Sequence, residues 1–243
     1  MRADVYRKVA AEAIGTAFLL ATVVGSGIMG ERLAGGNVAI ALLANTLATG
    51  AGLVALLLTF GPISGAHFNP VVTLAEASQG GMSWSLVPAY VLAQVFGAFA
   101  GAAVVHLMFE EPALFFASQH VRSGGSQLLS EFVATFGLMA VIWGCMRRRP
   151  GIVPFAVGSY ITAAYWFTSS TSFANPAVTL ARAASDTFAG IRPMDAPGFI
   201  VAQLLGGAAA TLLFRWLVPA LPAVADRVVD RGSHNAKNAE EFT

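Results

Sequence analysis

Charged side chains are scarce in this chain: 11% of its 243 residues are Asp, Glu, Lys or Arg, against about 25% in an average soluble domain. The formal net charge is only +1, and the charges sit at the edges of apolar runs. No basic face exists to hold a polyanion, so nucleic acid is excluded as a partner. Cysteine is nearly absent as well. The single Cys145 cannot close an internal disulfide, which removes any cysteine framework and leaves it reading as a small buried hydrophobe. Ser, His, Asp and Glu occur, but never at the spacing of a nucleophile, metal or phosphate site; the expectation is no enzyme, no metal and no cofactor.

What the chain has in abundance is apolar surface. Hydrophobic residues make up 56% of it and the mean hydropathy is +0.67, values that belong to a membrane protein. Its start, "MRADVYRKVAAEAIGTAFLLATVVGSG", has the positive head and apolar centre of a secretory signal, yet Glu12 interrupts the run and five more long apolar stretches follow. It therefore reads as a first span. Six transmembrane helices are expected, near 9–29, 38–60, 84–108, 128–146, 152–170 and 197–218, because a helix satisfies its own backbone and about 20 residues cross the hydrocarbon. Arg2, Arg7 and Lys8 before the first span and "RRR" at 147–149 place those segments, and hence both termini, in the cytoplasm. One transmembrane domain is expected over 1–224, with a polar and disordered cytoplasmic tail over 225–243.

The sequence repeats itself. "HFNPVVTLAEA" at 67–77 is matched by "SFANPAVTLARA" at 172–183, with Asn69 and Asn175 spaced 106 residues apart. "AQVFGAFAG" at 93–101 resembles "AQLLGGAAA" at 202–210, and Glu12 with Thr16 resembles Glu131 with Thr135. Two halves, about 1–115 and 116–224, each hold three spans. An odd number of spans turns the second half over, so the repeat is inverted about an axis in the membrane plane.

Each half carries its Asn-Pro stretch between its second and third spans, in a segment too short and too polar to cross. Proline at the first helical position needs no amide partner and a preceding Asn is a favoured cap, so Asn69-Pro70 and Asn175-Pro176 read as helix starts. Two half-helices of about ten residues, roughly 15 Å each, would together cover the roughly 30 Å hydrocarbon core as two re-entrant segments. Irregular backbone at that depth is tolerated where it is buried in protein or lines a wet cavity. Two helix N-termini at the centre bring partial positive charge there, and the Asn amides can donate to a passing neutral solute.

These spans and the two motifs, "SGAHFNPVVTLA" and "ANPAVTLA", resemble the major intrinsic protein family of aquaporins and aquaglyceroporins. The resemblance implies an all-α, six-span membrane channel with two re-entrant half-helices, assembled as a homotetramer in the lipid bilayer. It implies a pore centre at Asn69, Pro70, Val71, Asn175, Pro176 and Ala177, with Val71 departing from the usual Ala. His67 resembles a pore-lining His, with plain packing as the alternative. Glu12 and Glu131 resemble buried carboxylates that brace the loops; proton coupling in a secondary transporter is the rival role.

The family's second constriction corresponds by position to Thr49, Ala163, Ser172 and Val178, with Thr162 or Ala164 as alternatives for the second. Most members place an aromatic at the first position and Arg at the last. Thr49 and Val178 imply a wide filter that passes water, glycerol-like polyols, urea-like molecules and neutral metalloid acids. The Val-for-Arg change resembles a bacterial branch associated with arsenic resistance, which passes arsenite and small organoarsenicals, and hence implies a bacterial inner (plasma) membrane. Arg182, one turn beyond Val178, is expected at the mouth or surface. A water-selective channel is the other rival. Small-residue pairs at Gly97 with Gly101 and Gly206 with Ala210 are expected to pack within the subunit.

Overall fold

The computed structural model describes residues 2–146 and 149–217. Arg147, Arg148 and the 225–243 tail, for which the sequence gives expectations, lie outside the described residues. Among the described residues eight helices follow in order: α1 (Arg2–Leu33), α2 (Val38–Ser64), α3 (Pro70–Ser78), α4 (Val87–Met108), α5 (Gly125–Met146), α6 (Val153–Phe167), α7 (Pro176–Ala183) and α8 (Ala196–Leu217). Short 3-10 turns lead into α4 and α6. There is no strand among the described residues.

Helices α1, α2, α4, α5 and α8 are long and apolar enough to cross a membrane. The sixth expected span, 152–170, is realised as the 15-residue α6, extended at its start by the turn Pro150–Ile152. It stops short of 170 because Thr168 leaves the helix with an extended backbone and donates its hydroxyl to the Ala164 carbonyl (2.6 Å). Large apolar side chains point outward all round: Phe18, Leu92, Phe96, Leu129, Phe155, Leu205 and Leu212 are exposed, as suits helices solvated by lipid.

The same arrangement occurs twice. α1 packs on α2 and α4, and α5 packs on α6 and α8. The halves join through α2 against α6, and each half-helix leans on the other half's last helix, α3 on α8 and α7 on α4. Glycine sets how close these pairs come. A Cβ at Gly97 or Gly101 would run into the Ala13 or Ala17 carbonyl of α1, and one at Gly206 into the Phe132 carbonyl of α5. Ala210, the fourth of these small residues, is fully buried. These residues pack within the chain, and their size lets backbones approach.

Two carboxylates hold the re-entrant loops from behind. Both Glu12 and Glu131 are fully buried. The Glu12 side chain accepts from Ser64 Oγ (2.7 Å), His67 N (2.9 Å), Phe68 N (2.7 Å) and Gln94 Nε2 (2.8 Å). Glu131 accepts from Phe173 N (2.9 Å), Ala174 N (2.9 Å) and Gln203 Nε2 (2.6 Å). The loops need this support. Ala66 (φ 49°), Phe68 (50°), Ser172 (52°) and Ala174 (49°) are all left-handed, a conformation that costs a non-glycine residue about 1–2 kcal/mol. Ala66 matches Ser172, and Phe68 matches Ala174, at the 106-residue repeat spacing. The strain is therefore built into both halves alike, and a carboxylate that accepts consecutive loop amides keeps each loop in place.

Glu12→Gln or Glu131→Gln puts an amide donor where the loop amides donate, leaving buried donors unpaired at about 1–3 kcal/mol each. Thermal unfolding in detergent should fall for both and stay unchanged for Glu110→Gln at an exposed position; equal midpoints would remove the brace. Gly97→Ala should likewise lower the midpoint. Gly144→Ala, whose Cβ would meet only the Phe214 ring at ordinary contact distance (3.6 Å), should be neutral or stabilising, since alanine favours helix over glycine by about 1 kcal/mol.

Candidate functional site

The two half-helices start where the sequence places them. Asn69 (φ −152°, ψ 121°) caps α3, its Oδ1 accepting from Val71 N (2.9 Å), with Pro70 as the first helical residue. Asn175 (φ −157°, ψ 114°) caps α7, its Oδ1 accepting from Ala177 N (3.0 Å) and Val178 N (3.3 Å), with Pro176 next. Each side-chain amide then crosses to the other half. Asn69 Nδ2 donates to the Ala174 carbonyl (2.8 Å) and Asn175 Nδ2 to the Phe68 carbonyl (2.7 Å). The two N-termini are thus tied head to head. An amide carries two N–H donors, so one on each Asn remains for a molecule beside it.

Beside them lies a cavity of about 1390 Å³. One end is bordered by Asp4, Lys8, Met82 and Pro150; the lining then passes His67, Asn69 and Asn175 and ends among Thr49, Tyr165, Phe173 and Arg182. The walls are single helical stripes: Thr49, Leu53, Leu57 and Gly61 from α2, and Val153, Val157, Ile161 and Tyr165 from α6, each at four-residue spacing. Most of this wall is apolar. Polar contact to a solute is concentrated at the Asn pair, the hydroxyls and the loops. His67 is half-buried in the lining and its Nδ1 is hydrogen-bonded to Thr73 Oγ1 (3.1 Å). Thr73 in turn donates to the Asn69 carbonyl (3.1 Å) and accepts from Gln94 (2.9 Å), so His67 is tied into the frame that holds α3.

Three of the four positions expected at the second constriction border the cavity: Thr49, Ser172 and Val178, each nearly fully buried. The fourth does not. Ala163 is exposed and lies in an outer groove between α2 and α6 with Leu47, Ala51 and Trp166. Two residues along an α-helix turn a side chain by about 200°, so when Ile161 faces inward Ala163 faces out. The alternatives do no better: Thr162 lies in the same groove, and Ala164 is buried in packing away from the cavity lining. The phase of α6 is set by close packing on α2. A Cβ at Gly50 would meet Thr162 Oγ1, and one at Gly158 would meet the Gly50 carbonyl. Tyr165 takes the inward place, its hydroxyl donating to Thr49 Oγ1 (3.3 Å).

Arg182 also departs from expectation. It is not at a surface or an open mouth but 1% exposed, with its guanidinium carbon 3.3 Å from the centroid of the Phe173 ring and its Nε donating to the Ala189 carbonyl. Four residues advance a helix by about 6 Å, yet side chains on an α-helix lean toward its N-terminus. A long Arg side chain recovers much of that displacement and reaches the cavity end from the turn beyond Val178. Arg122 approaches the same ring (5.1 Å) while donating to the Gly190 (2.8 Å) and Ser170 (3.2 Å) carbonyls. The cavity end therefore holds an aromatic and a guanidinium at positions different from those the family resemblance implies, and is less open than Thr49 and Val178 alone suggest. The four-residue spacing of Val153, Val157, Ile161 and Tyr165 is readable in the sequence; that this stripe faces the cavity, the reach of Arg182 and the approach of Arg122 are not.

The sequence profile of the major intrinsic protein family matches residues 1–173. Aquaglyceroporin AqpS of Rhizobium meliloti is 55% identical over 222 residues, covering 91% of this chain and 94% of its own length. Aquaporin Z of Bradyrhizobium diazoefficiens is 30% identical over 227 residues, 87% of this chain and 93% of its own. Among solved structures, the aquaglyceroporin from Plasmodium falciparum superposes with a TM-score of 0.69 at 21% identity, over 89% of this chain and 98% of that one, a likeness of fold. With similarity to both relatives running across nearly the whole chain, and the half-helix pair in place at its centre, this protein is a multi-pass membrane channel belonging to the major intrinsic protein family.

Proposed function

We propose that the protein is a passive channel for small uncharged solutes: water, glycerol-like polyols, urea-like molecules and neutral metalloid acids such as arsenite and small organoarsenicals. The observation that carries this reading is the pair of capped half-helices, Asn69-Pro70 and Asn175-Pro176, meeting beside a cavity of about 1390 Å³. Amide donors at the centre and an apolar wall elsewhere favour a solute that hydrogen-bonds without charge. Glu12 and Glu131 have their oxygens occupied by loop amides and glutamines. That supports a bracing role over proton coupling, and supports a channel over a transporter.

Thr49, Tyr165, Ser172 and Val178 are proposed as the groups that set solute size, with Val178 leaving space and Tyr165 limiting it. His67 is proposed as a lining residue on the other side of the Asn pair. The described chain is read as part of one channel domain over 1–224 whose halves meet near residue 115. Arg2, Arg7 and Lys8 support cytoplasmic termini in a bacterial inner (plasma) membrane. A homotetramer with one pathway per subunit is proposed on the family resemblance.

Stopped-flow swelling of proteoliposomes with a solute panel tests the reading. Glycerol, urea and arsenite should enter without saturation at low concentration and without a proton gradient. Fast water flux with none of these solutes would mean a water-selective channel, and saturation coupled to protons would mean a transporter. Val178→Arg should slow glycerol and arsenite by about tenfold, equal to about 1.4 kcal/mol of barrier, with a much smaller effect on water. Tyr165→Ala should speed the larger polyols, whereas Ala163→Leu in the outer groove should change no flux; an effect of Ala163→Leu as large as that of Tyr165→Ala would contradict the observed phase of α6.

A further inference from the structure

Arg182 is the only cation in α7, and it is fully buried at the end of the cavity with no carboxylate within ion-pair distance among the described residues. Its Nε is taken by the Ala189 carbonyl and its guanidinium lies on the Phe173 ring, while Nη1 has no hydrogen-bond partner among the described residues. Glu131, a fully buried carboxylate of the same half, is already occupied by Phe173 N, Ala174 N and Gln203. An unpaired cation within a membrane protein is expensive to hold. Leucine or methionine would fill the same space at lower cost, so packing alone does not account for it.

Val178 and Arg182 lie on one face of α7, four residues apart, and both border the cavity. Thr49, Tyr165 and Ser172 complete that end with hydroxyl groups. Whatever passes between the Asn pair and this end of α7 passes the guanidinium, in a low-dielectric setting where a fixed charge acts over several ångströms.

Resting on the channel reading above, we propose that Arg182 supplies the fixed positive charge that rejects cations in this channel, one helical turn beyond the position occupied by Val178. Size selection and charge selection are then separate: Val178 leaves cross-section open for solutes larger than water, and Arg182, held aside on Phe173, keeps the potential positive. With this arrangement a filter without Arg at position 178 widens and still excludes ammonium and sodium ions.

The test uses the full chain in proteoliposomes, comparing wild type with Arg182→Lys, which keeps the charge, and Arg182→Met, which keeps the length without it. Ammonium and sodium uptake are measured beside water and glycerol swelling. Arg182→Met should admit the cations at least tenfold faster than wild type, while Arg182→Lys stays within about twofold of wild type, and water flux is retained in all three. Should Arg182→Met fail to fold, Arg182→Gln, which keeps an amide donor for the Ala189 carbonyl, takes its place. Cation uptake equal in wild type, Lys and neutral variants, with glycerol flux intact, overturns the proposal and leaves the channel reading standing. Equal loss of water and glycerol flux in the Lys and neutral variants, with no cation leak, also overturns it and leaves Arg182 as a support of the loop after α7. Absence of solute flux in wild type refutes the channel reading itself.

Discussion

The structure depends on one constraint: backbone that is not helical must still find hydrogen-bond partners at membrane depth. The loops before α3 and α7 meet it by donating amides to Glu12 and Glu131, carboxylates fully buried behind them. Because a carboxylate only accepts, it can hold consecutive N–H groups without offering a competing donor. That lets four non-glycine residues, Ala66, Phe68, Ser172 and Ala174, remain left-handed. The half-helices then begin where the loops end, and Asn69 and Asn175 tie each one to the opposite loop.

From this frame the chemistry of the pathway follows. The helices contribute stripes at four-residue spacing, so the wall is apolar over most of its length and polar at the Asn pair, at the loops and at helix side chains such as Thr49, Tyr165 and Arg182. A neutral solute exchanges its water for a few fixed donors and acceptors. A cation meets helix N-termini at the centre and, at one end, guanidinium groups near Phe173. Phe173 thus does more than pack on Phe199 (5.2 Å between centroids): its face receives the Arg182 guanidinium, which has no carboxylate partner among the described residues.

The positions where expectation and structure differ are instructive because both concern rotation and reach. Counting back from Asn175 leads to Ala163, but the count assumes a fixed path between α6 and the loop. Gly50 and Gly158 bring α2 and α6 together along a particular line, and that line points Ile161 and Tyr165 inward. Likewise, counting forward from Val178 puts the Arg182 backbone farther out, whereas its side chain leans back along α7 and is captured by Phe173 and Ala189.

The sequence by itself determined the class, the number of spans, the inverted repeat and the helix starts at Asn69-Pro70 and Asn175-Pro176. Apolar length, odd span count and capping are all local or periodic properties, and local properties are legible without coordinates. It also carried the matched Glu12 and Glu131, since the repeat exposes what both halves keep. Tertiary structure alone decided that Tyr165 rather than Ala163 faces the cavity and that Arg182 ends buried on Phe173. Those outcomes depend on the rotation of one helix against another and on the path of a long side chain, which are set by contacts between segments far apart in the chain.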